Sequence, residues 1–152
     1  MTGLVFRDAQ SGDFEAIVRL YGQLHPDDPV VTDRATFKEI LATPGLRLLV
    51  LERDGVVVAT TYLNVVPNLT RAASPYAVIE NVVVEESLRG SGVGKAIMAE
   101  TLAVAWNEGC YKAMLMTGSR RASTLAFYEA CGFSRDDKTG FTARPPGFIA
   151  HH

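Results

Sequence analysis

Cysteine is scarce: Cys110 and Cys131 are the only two in 152 residues. They lack metal-ligand spacing, and two thiols in a chain without a secretion signal read as reduced and buried, so neither a disulfide framework nor a metal site is expected. Positive charge is not in excess either. Fifteen Lys and Arg against seventeen Asp and Glu leave a net charge of -2, which gives no general basic field for nucleic acid or for an anionic membrane. No apolar run approaches the roughly 18 residues of a membrane span, and MTGLVFRDAQ lacks the charged-then-apolar layout of a signal peptide. A cytoplasmic chain with no membrane or nucleic-acid partner is expected. Repeats, low-complexity tracts and linkers are also missing, so one domain over residues 1–150 is expected, with His151-His152 as a remnant of a purification tag.

What remains is an ordinary globular composition, 47% apolar and 21% charged, on a chain long enough to bury roughly 70% of its unfolded surface. Strand and helix patterns alternate along it. Leu4 to Arg7 reads as a short strand. SGD then starts a helix carrying Phe14, Ile17, Val18, Tyr21 and Leu24 at helical spacing, which HPDDP ends. A second helix is expected from Asp33 to Leu41. RLLVLE, the Asp54-Gly55 turn and VVVATTYLNVV form a hairpin, because Asp-Gly tolerates the positive φ of tight hairpin turns. PNLTRAASP is a loop and AVIENVVV, Ala77 to Val84, a strand. A helix containing Met98, Leu102 and Ala105 follows, capped at Gly109. AMLMT is a buried strand, Ala122 to Cys131 a last helix, and Gly140 to Arg144 a final strand. Hairpins around one parallel strand-helix-strand unit make a mixed sheet.

Between the AVIENVVV strand and the helix stands LRGSGVGK, residues 88–95. A helix start offers free N–H groups and partial positive charge, and glycines let a ligand approach the backbone, so this is a phosphate site in form. A Walker A loop fails, since Ala96 follows Gly94-Lys95 and Arg89 stands in the first glycine's place. A dinucleotide fingerprint fails on register, because its third glycine position is Lys95. Arg-x-x-Gly-x-Gly fits as Arg89, Gly92 and Gly94.

Together with IENVVV before it and FYEACGF at Phe127–Phe133, this loop resembles that of the GNAT N-acetyltransferase superfamily, and the likeness covers nearly the whole chain. The resemblance implies an α/β fold with a mixed, mostly antiparallel sheet of six to seven strands, about four flanking helices and a splayed central parallel pair. It implies acetyl-CoA as cosubstrate, its pyrophosphate cradled by Gly90, Ser91, Gly92, Val93, Gly94 and Lys95, with charge from Arg89 and Lys95. Its pantetheine arm would lie along Val82, Val83 and Val84, whose N–H groups also face the thioester oxygen. Tyr128 is at the general-acid position, a phenol with a pKa of about 10 that stays protonated at neutral pH.

Glu80 is the candidate base. Strand alternation places it on one face with Val82 and Val84, and a carboxylate in an apolar strand is costly unless paired or used. Pairing with an arginine or a backbone amide is the competing role. Cys131 shares a helix face with Tyr128 but has no histidine close in sequence to support an acyl-cysteine route. Within the superfamily, IENVVV, GCYKAMLMTG and FYEACGF are most similar to the glucosamine-6-phosphate N-acetyltransferase-like members. The chain departs from them at Met116-Thr117-Gly118, Thr124 and Arg121. The expected acceptor is therefore a primary amine on a small molecule, an aminosugar phosphate among the candidates, with Arg71, Arg120 and Arg121 available for phosphate. A protein or peptide acceptor and a non-catalytic acyl-CoA sensor are the alternatives. A homodimer is implied, with the strand around Phe141 as its interface.

Overall fold

A strand, β1 (Leu4–Asp8), and a 3-10 turn at Ser11–Asp13 lead into helix α1 (Phe14–Leu24) in a computed structural model that describes residues 3–148. Asp13 sets the start of α1. Its carboxylate accepts the Gln10 N–H at 2.7 Å and a two-pronged contact from Arg7 at 2.7 and 3.0 Å. The Arg7 hydrogen bond holds the Asp13 carboxyl below its ordinary range. Helix α2 (Arg34–Ala42) begins at Asp33, whose side chain accepts from the Thr36 N–H.

Strands β2 (Leu46–Arg53) and β3 (Val56–Val66) form the expected hairpin. Its turn has φ of 52° at Asp54 and 83° at Gly55, the pair of positive values that a tight hairpin needs. The chain continues through a single turn, α3 (Thr70–Ala73), into β4 (Tyr76–Val84). Where a plain loop was expected, Arg71, Ala72 and Ala73 all have left-handed φ, 56°, 58° and 59°. The Asn68 amide steadies this turn by donating to the Thr70 and Ser74 carbonyls. Helix α4 (Val93–Asn107) then crosses to β5 (Ala113–Leu115), which pairs with β4 in parallel. Gly109, φ 86°, lies just past the end of α4, as its sequence position predicts.

The sheet order is β1-β2-β3-β4-β5, antiparallel except for the last pair. Both faces are covered. Phe14, Ile17 and Leu20 of α1 and Phe37 of α2 pack on Leu48, Val50, Val57 and Val83. On the other face, Val93 and Ile97 of α4 pack on Leu51, Val58 and Ala59. Leu20 and Ile97 expose no surface, and burial on this scale stabilises the fold by roughly 2 to 3 kcal/mol per side chain. Two buried hydroxyls add a polar joint: Thr101 of α4 meets Thr61 of β3 at 2.8 Å and also donates to the Ile97 carbonyl at 2.7 Å.

Residues up to Leu115 make one compact unit and residues from Met116 a second. The second contains α5 (Ala122–Ala130), stopped at Cys131 and Gly132, whose φ is 99°. Edge-on ring contacts run from Phe127 to Tyr128 (5.2 Å between centroids) and from Tyr128 to Phe133 (6.2 Å).

Four expectations are corrected. The described residues form five strands rather than six or seven, and five helices if the single turn α3 is counted, rather than four. Strand β5 stops at Leu115 instead of Thr117. Gly140 to Arg144 forms no strand, so the proposed interface strand around Phe141 is missing there. Phe141 is 91% exposed, and Pro145-Pro146 follows directly with no N–H to offer a ladder. The expected tag remnant, His151-His152, lies outside the described residues. No helix among those described is long and apolar enough to cross a membrane.

Candidate active site

Pairing between β4 and β5 ends at the Ile79 and Leu115 row, while β4 runs on to Val84. Among the described residues no strand pairs with the side of β4 away from β3 from Glu80 onward, which leaves backbone donors and acceptors of this sheet on an open edge. Val83 is buried, and Val82 and Val84 are half-buried. Side chains are thus packed where backbone is available.

The same stretch is irregular. Tyr62 pairs with Glu80 and Thr60 with Val83, so Asn81 and Val82 together oppose Thr61 alone. Asn81 has φ 51°. A bulge of this kind inserts one residue, leaves it out of the ladder and shifts the alternation. Glu80 therefore shares the α1 face with Tyr62 and Val83, whereas Val84, paired with Ala59, lies on the α4 face. The expected common face for Glu80 and Val84 is overturned by that extra residue. Glu80 is also exposed, so no burial cost has to be explained by a partner.

Past β4, a 3-10 turn at Glu86–Leu88 leads to Gly90, φ 79°, and Gly92, φ 93°. Gly92 is the residue before α4, and no side chain caps the helix there. The first helical bond runs from the Ala96 N–H to the Gly92 carbonyl at 3.0 Å. The N–H groups of Val93, Gly94 and Lys95 precede it and are the orphan donors of the helix start. Val93 has no exposed surface and anchors the loop, while Gly92 and Lys95 are exposed. Arg89 is exposed too, its Nε reaching the Val84 carbonyl at 3.4 Å. Arg89 to Lys95 thus combines free donors, open backbone and two cations, an arrangement that fits a phosphate-bearing ligand.

Three residues that sequence reasoning missed hold the entry to this loop. Gln23 of α1 accepts the Glu86 N–H at 2.9 Å and donates to the Glu85 carboxylate at 2.5 Å, and Arg19 donates to the same carboxylate at 2.7 Å. Arg19 also reaches the Val57 carbonyl at 3.0 Å. Polar residues on an outer helix face give no sign of partners more than sixty positions away. Tyr21, between these two, packs against the core, and burial pushes its phenol up to about 12.

The remaining candidates are placed separately. Arg71 stacks over Tyr111 at 5.7 Å, and Lys112 lies over Tyr111 and Tyr76 at 5.3 and 5.6 Å, so Arg71 gains a basic neighbour. Arg120 and Arg121 belong to the second unit, at the start of α5. Tyr128 is half-buried there, and desolvation, followed by the neighbouring Cys131, raises its phenol above the ordinary value. Cys131 sits at the end of α5.

The sequence profile of the acetyltransferase (GNAT) family matches residues 14–133. A solved structure from Agrobacterium tumefaciens str. C58, provisionally described as an acetyltransferase, is 45% identical, superposes with a TM-score of 0.88, and is matched over 93% of this chain and 99% of its own. Glucosamine 6-phosphate N-acetyltransferase of Trypanosoma brucei brucei is 28% identical over 138 residues, 89% of this chain and 92% of that protein. Glucosamine 6-phosphate N-acetyltransferase 1 of Oryza sativa subsp. japonica is 29% identical over 119 residues, 75% and 70% of the two chains.

Proposed function

The chain belongs to the acetyltransferase (GNAT) family, and from that premise we propose that it transfers the acetyl group of acetyl-CoA to a primary amine of a small molecule, an aminosugar phosphate, by direct attack in a ternary complex. The observation that carries this reading is the uncapped α4 start at Gly92, with its free N–H groups directly after the open edge of β4. Gly90 to Lys95 bind the pyrophosphate. Arg89 and Lys95 add charge, and Val82 to Val84 bind the pantetheine arm through their backbone. The likeness to two glucosamine 6-phosphate N-acetyltransferases supports the acceptor class, and Arg71 beside Lys112 is the basic pair best suited to a phosphate.

The chemistry needs three things: a neutral amine, stabilisation of the thioester oxygen and a proton for the departing thiolate. Glu80, exposed beside the bulge, takes the proton from the ammonium, directly or through water. Backbone N–H at the bulge receives the developing oxyanion; a preorganised donor of that kind contributes roughly 3 kcal/mol to the barrier. Tyr128 supplies the thiolate's proton. A cytoplasmic homodimer goes with this reading.

Calorimetry with acetyl-CoA, followed by thiol release across glucosamine-6-phosphate, polyamines, amino acids and peptides, tests it. Saturable binding with release on glucosamine-6-phosphate is the expected result. Release on peptides alone would replace the acceptor class, binding without release would favour an acyl-CoA sensor, and no binding would remove the reading altogether. Glu80→Gln is expected to lower kcat by about 10²-fold, the usual size of a general-base contribution, and to change the pH profile. An unaltered profile would dismiss Glu80 as the base.

A further inference from the structure

The chain leaves the sheet at Glu85. Its N–H still bonds the Val58 carbonyl at 2.7 Å, one step beyond the end of β4, and the next N–H, that of Glu86, opens the turn that leads to the glycines. A donor at the start of such a turn needs an acceptor from outside it. The Glu85 side chain does not supply one, because its carboxylate is drawn onto α1 by Arg19 at 2.7 Å and by Gln23 at 2.5 Å. Gln23 supplies it instead, its carbonyl oxygen accepting the Glu86 N–H at 2.9 Å. Arg19 and Gln23 stand four residues apart, so the helix turns both to one face. A primary amide is suited to this place, since it donates to the carboxylate at one end and accepts from the backbone at the other.

From Glu86 the bonds pass into the ligand loop. The Glu85 carbonyl accepts the Leu88 N–H at 2.8 Å, the Glu86 carbonyl the Arg89 N–H at 3.4 Å, and the Leu88 carbonyl the Ser91 N–H at 3.2 Å. Leu88 packs with Val93 against the core under α4. Glu86 is thus held by α1 at its N–H and tied to Arg89 at its carbonyl, so a shift of Glu86 carries Arg89 with it. The Arg89 side chain is exposed, and its Nε contact with the Val84 carbonyl is long at 3.4 Å, so its aim depends on where its backbone starts.

We infer that Gln23 is a positioning residue for the ligand loop: by holding Glu86 it fixes the backbone from which Arg89 reaches the pyrophosphate, and it thereby raises affinity for acyl donors that carry that group. Gln23 acts through Glu86 and Arg89 and needs no contact with the ligand. The ligand half of this inference rests on the reading that Arg89 to Lys95 bind the pyrophosphate, whereas the conformational half does not.

The test uses three variants. Gln23→Met keeps length and helix propensity but removes both bonds; Gln23→Glu keeps the acceptor and sets a second carboxylate beside Glu85; Gln23→Glu with Glu85→Gln exchanges the two ends of the bond at constant charge. Calorimetry gives the affinity for acetyl-CoA and for S-acetylpantetheine, which lacks the pyrophosphate, and amide exchange by NMR reads the Glu86 and Arg89 N–H groups of the unliganded protein. Acetyl-CoA binding is expected to weaken by about tenfold in each single variant, the size of one charge-assisted bond, while S-acetylpantetheine stays within about twofold. Exchange at Glu86 and Arg89 should quicken in Gln23→Met. The exchanged pair should return to within about threefold of wild type, because donor and acceptor have only traded places. With Arg89→Met already present, Gln23→Met should weaken acetyl-CoA binding little further, since both changes act through one contact. Equal losses for the two donors, unchanged exchange at Glu86, an exchanged pair as weak as Gln23→Glu alone, or losses that multiply with Arg89→Met would each overturn the inference. A wild type that binds neither donor, or both equally, would remove the pyrophosphate reading and the ligand half with it, while the exchange rates still decide whether Gln23 holds the turn.

Discussion

Gly92→Val is expected to weaken acetyl-CoA binding by about 10²- to 10³-fold while leaving the protein folded. Gly92 sits at φ 93° with its surface exposed, directly ahead of the free donors of α4. A β-branched residue is a steric outlier there, and strain of roughly 1 to 3 kcal/mol pushes the turn away from its present path. The valine side chain also intrudes where a phosphate oxygen must approach, removing charge-assisted bonds worth about 1.5 to 3 kcal/mol each. The strain alone is about fivefold or more and each lost bond about tenfold or more, and both act on the same few atoms. Gly90→Asn is the control. Gly90 also has positive φ, 79°, but a Cβ built on it meets nothing within 4 Å, and asparagine tolerates this region. Its affinity should fall only a few-fold. Calorimetry on both variants checks the pair, and equal losses would show that the turn matters as a whole rather than through the approach to Gly92.

Tyr128→Phe is expected to lower kcat by about 10²- to 10³-fold, within the usual range for a positioned acid, with acetyl-CoA affinity nearly unchanged. The pH dependence sharpens the test. Desolvation raises the Tyr128 phenol above the ordinary value of about 10, so the proton stays in place throughout the neutral and mildly alkaline range. Turnover that depends on it is lost only as pH rises through that raised value. Wild type should therefore keep its rate past the pH at which a free phenol ionises, and Tyr128→Phe should lose that alkaline limb. Because a raised phenol is also a weaker acid than a free one, the transfer has to accompany the growth of charge on sulfur rather than precede it. Wild-type turnover in the Phe variant would leave Tyr128 as one more ring in the Phe127 and Phe133 cluster.

Much of this could be read from local signals. The Asp54-Gly55 turn, the start of α1 at Asp13 and the glycine loop before α4 each depend on residues a few positions apart, and each formed where its chemistry dictates. The misses have the opposite character. Period-two alternation carried Glu80 onto one face with Val84 because nothing in a run of valines announces an inserted residue; Asn81, a tolerable left-handed residue among β-branched ones, is the only local hint. Arg71, Ala72 and Ala73 have no intrinsic preference for left-handed φ, so their turn follows from what Asn68 bonds to. Phe141 and Thr142 have strand propensity, but propensity without a paired edge makes no strand. Gln23 and Arg19 earn their importance only when folding brings Glu85 to them.

The Thr61 and Thr101 hydroxyl pair has a thermodynamic consequence for whatever docks at the head of α4. Because Thr101 also donates to its own helix, α4 is fastened to β3 two turns below its first N–H groups, and Val93 seals the top. The donors are ordered before any ligand arrives, so association should cost little conformational entropy and proceed with a small heat-capacity change from the protein itself. Cutting that fastening with Thr101→Val would shift the ordering cost onto the binding step, turning a receptor that waits in shape into one that must be shaped by its ligand.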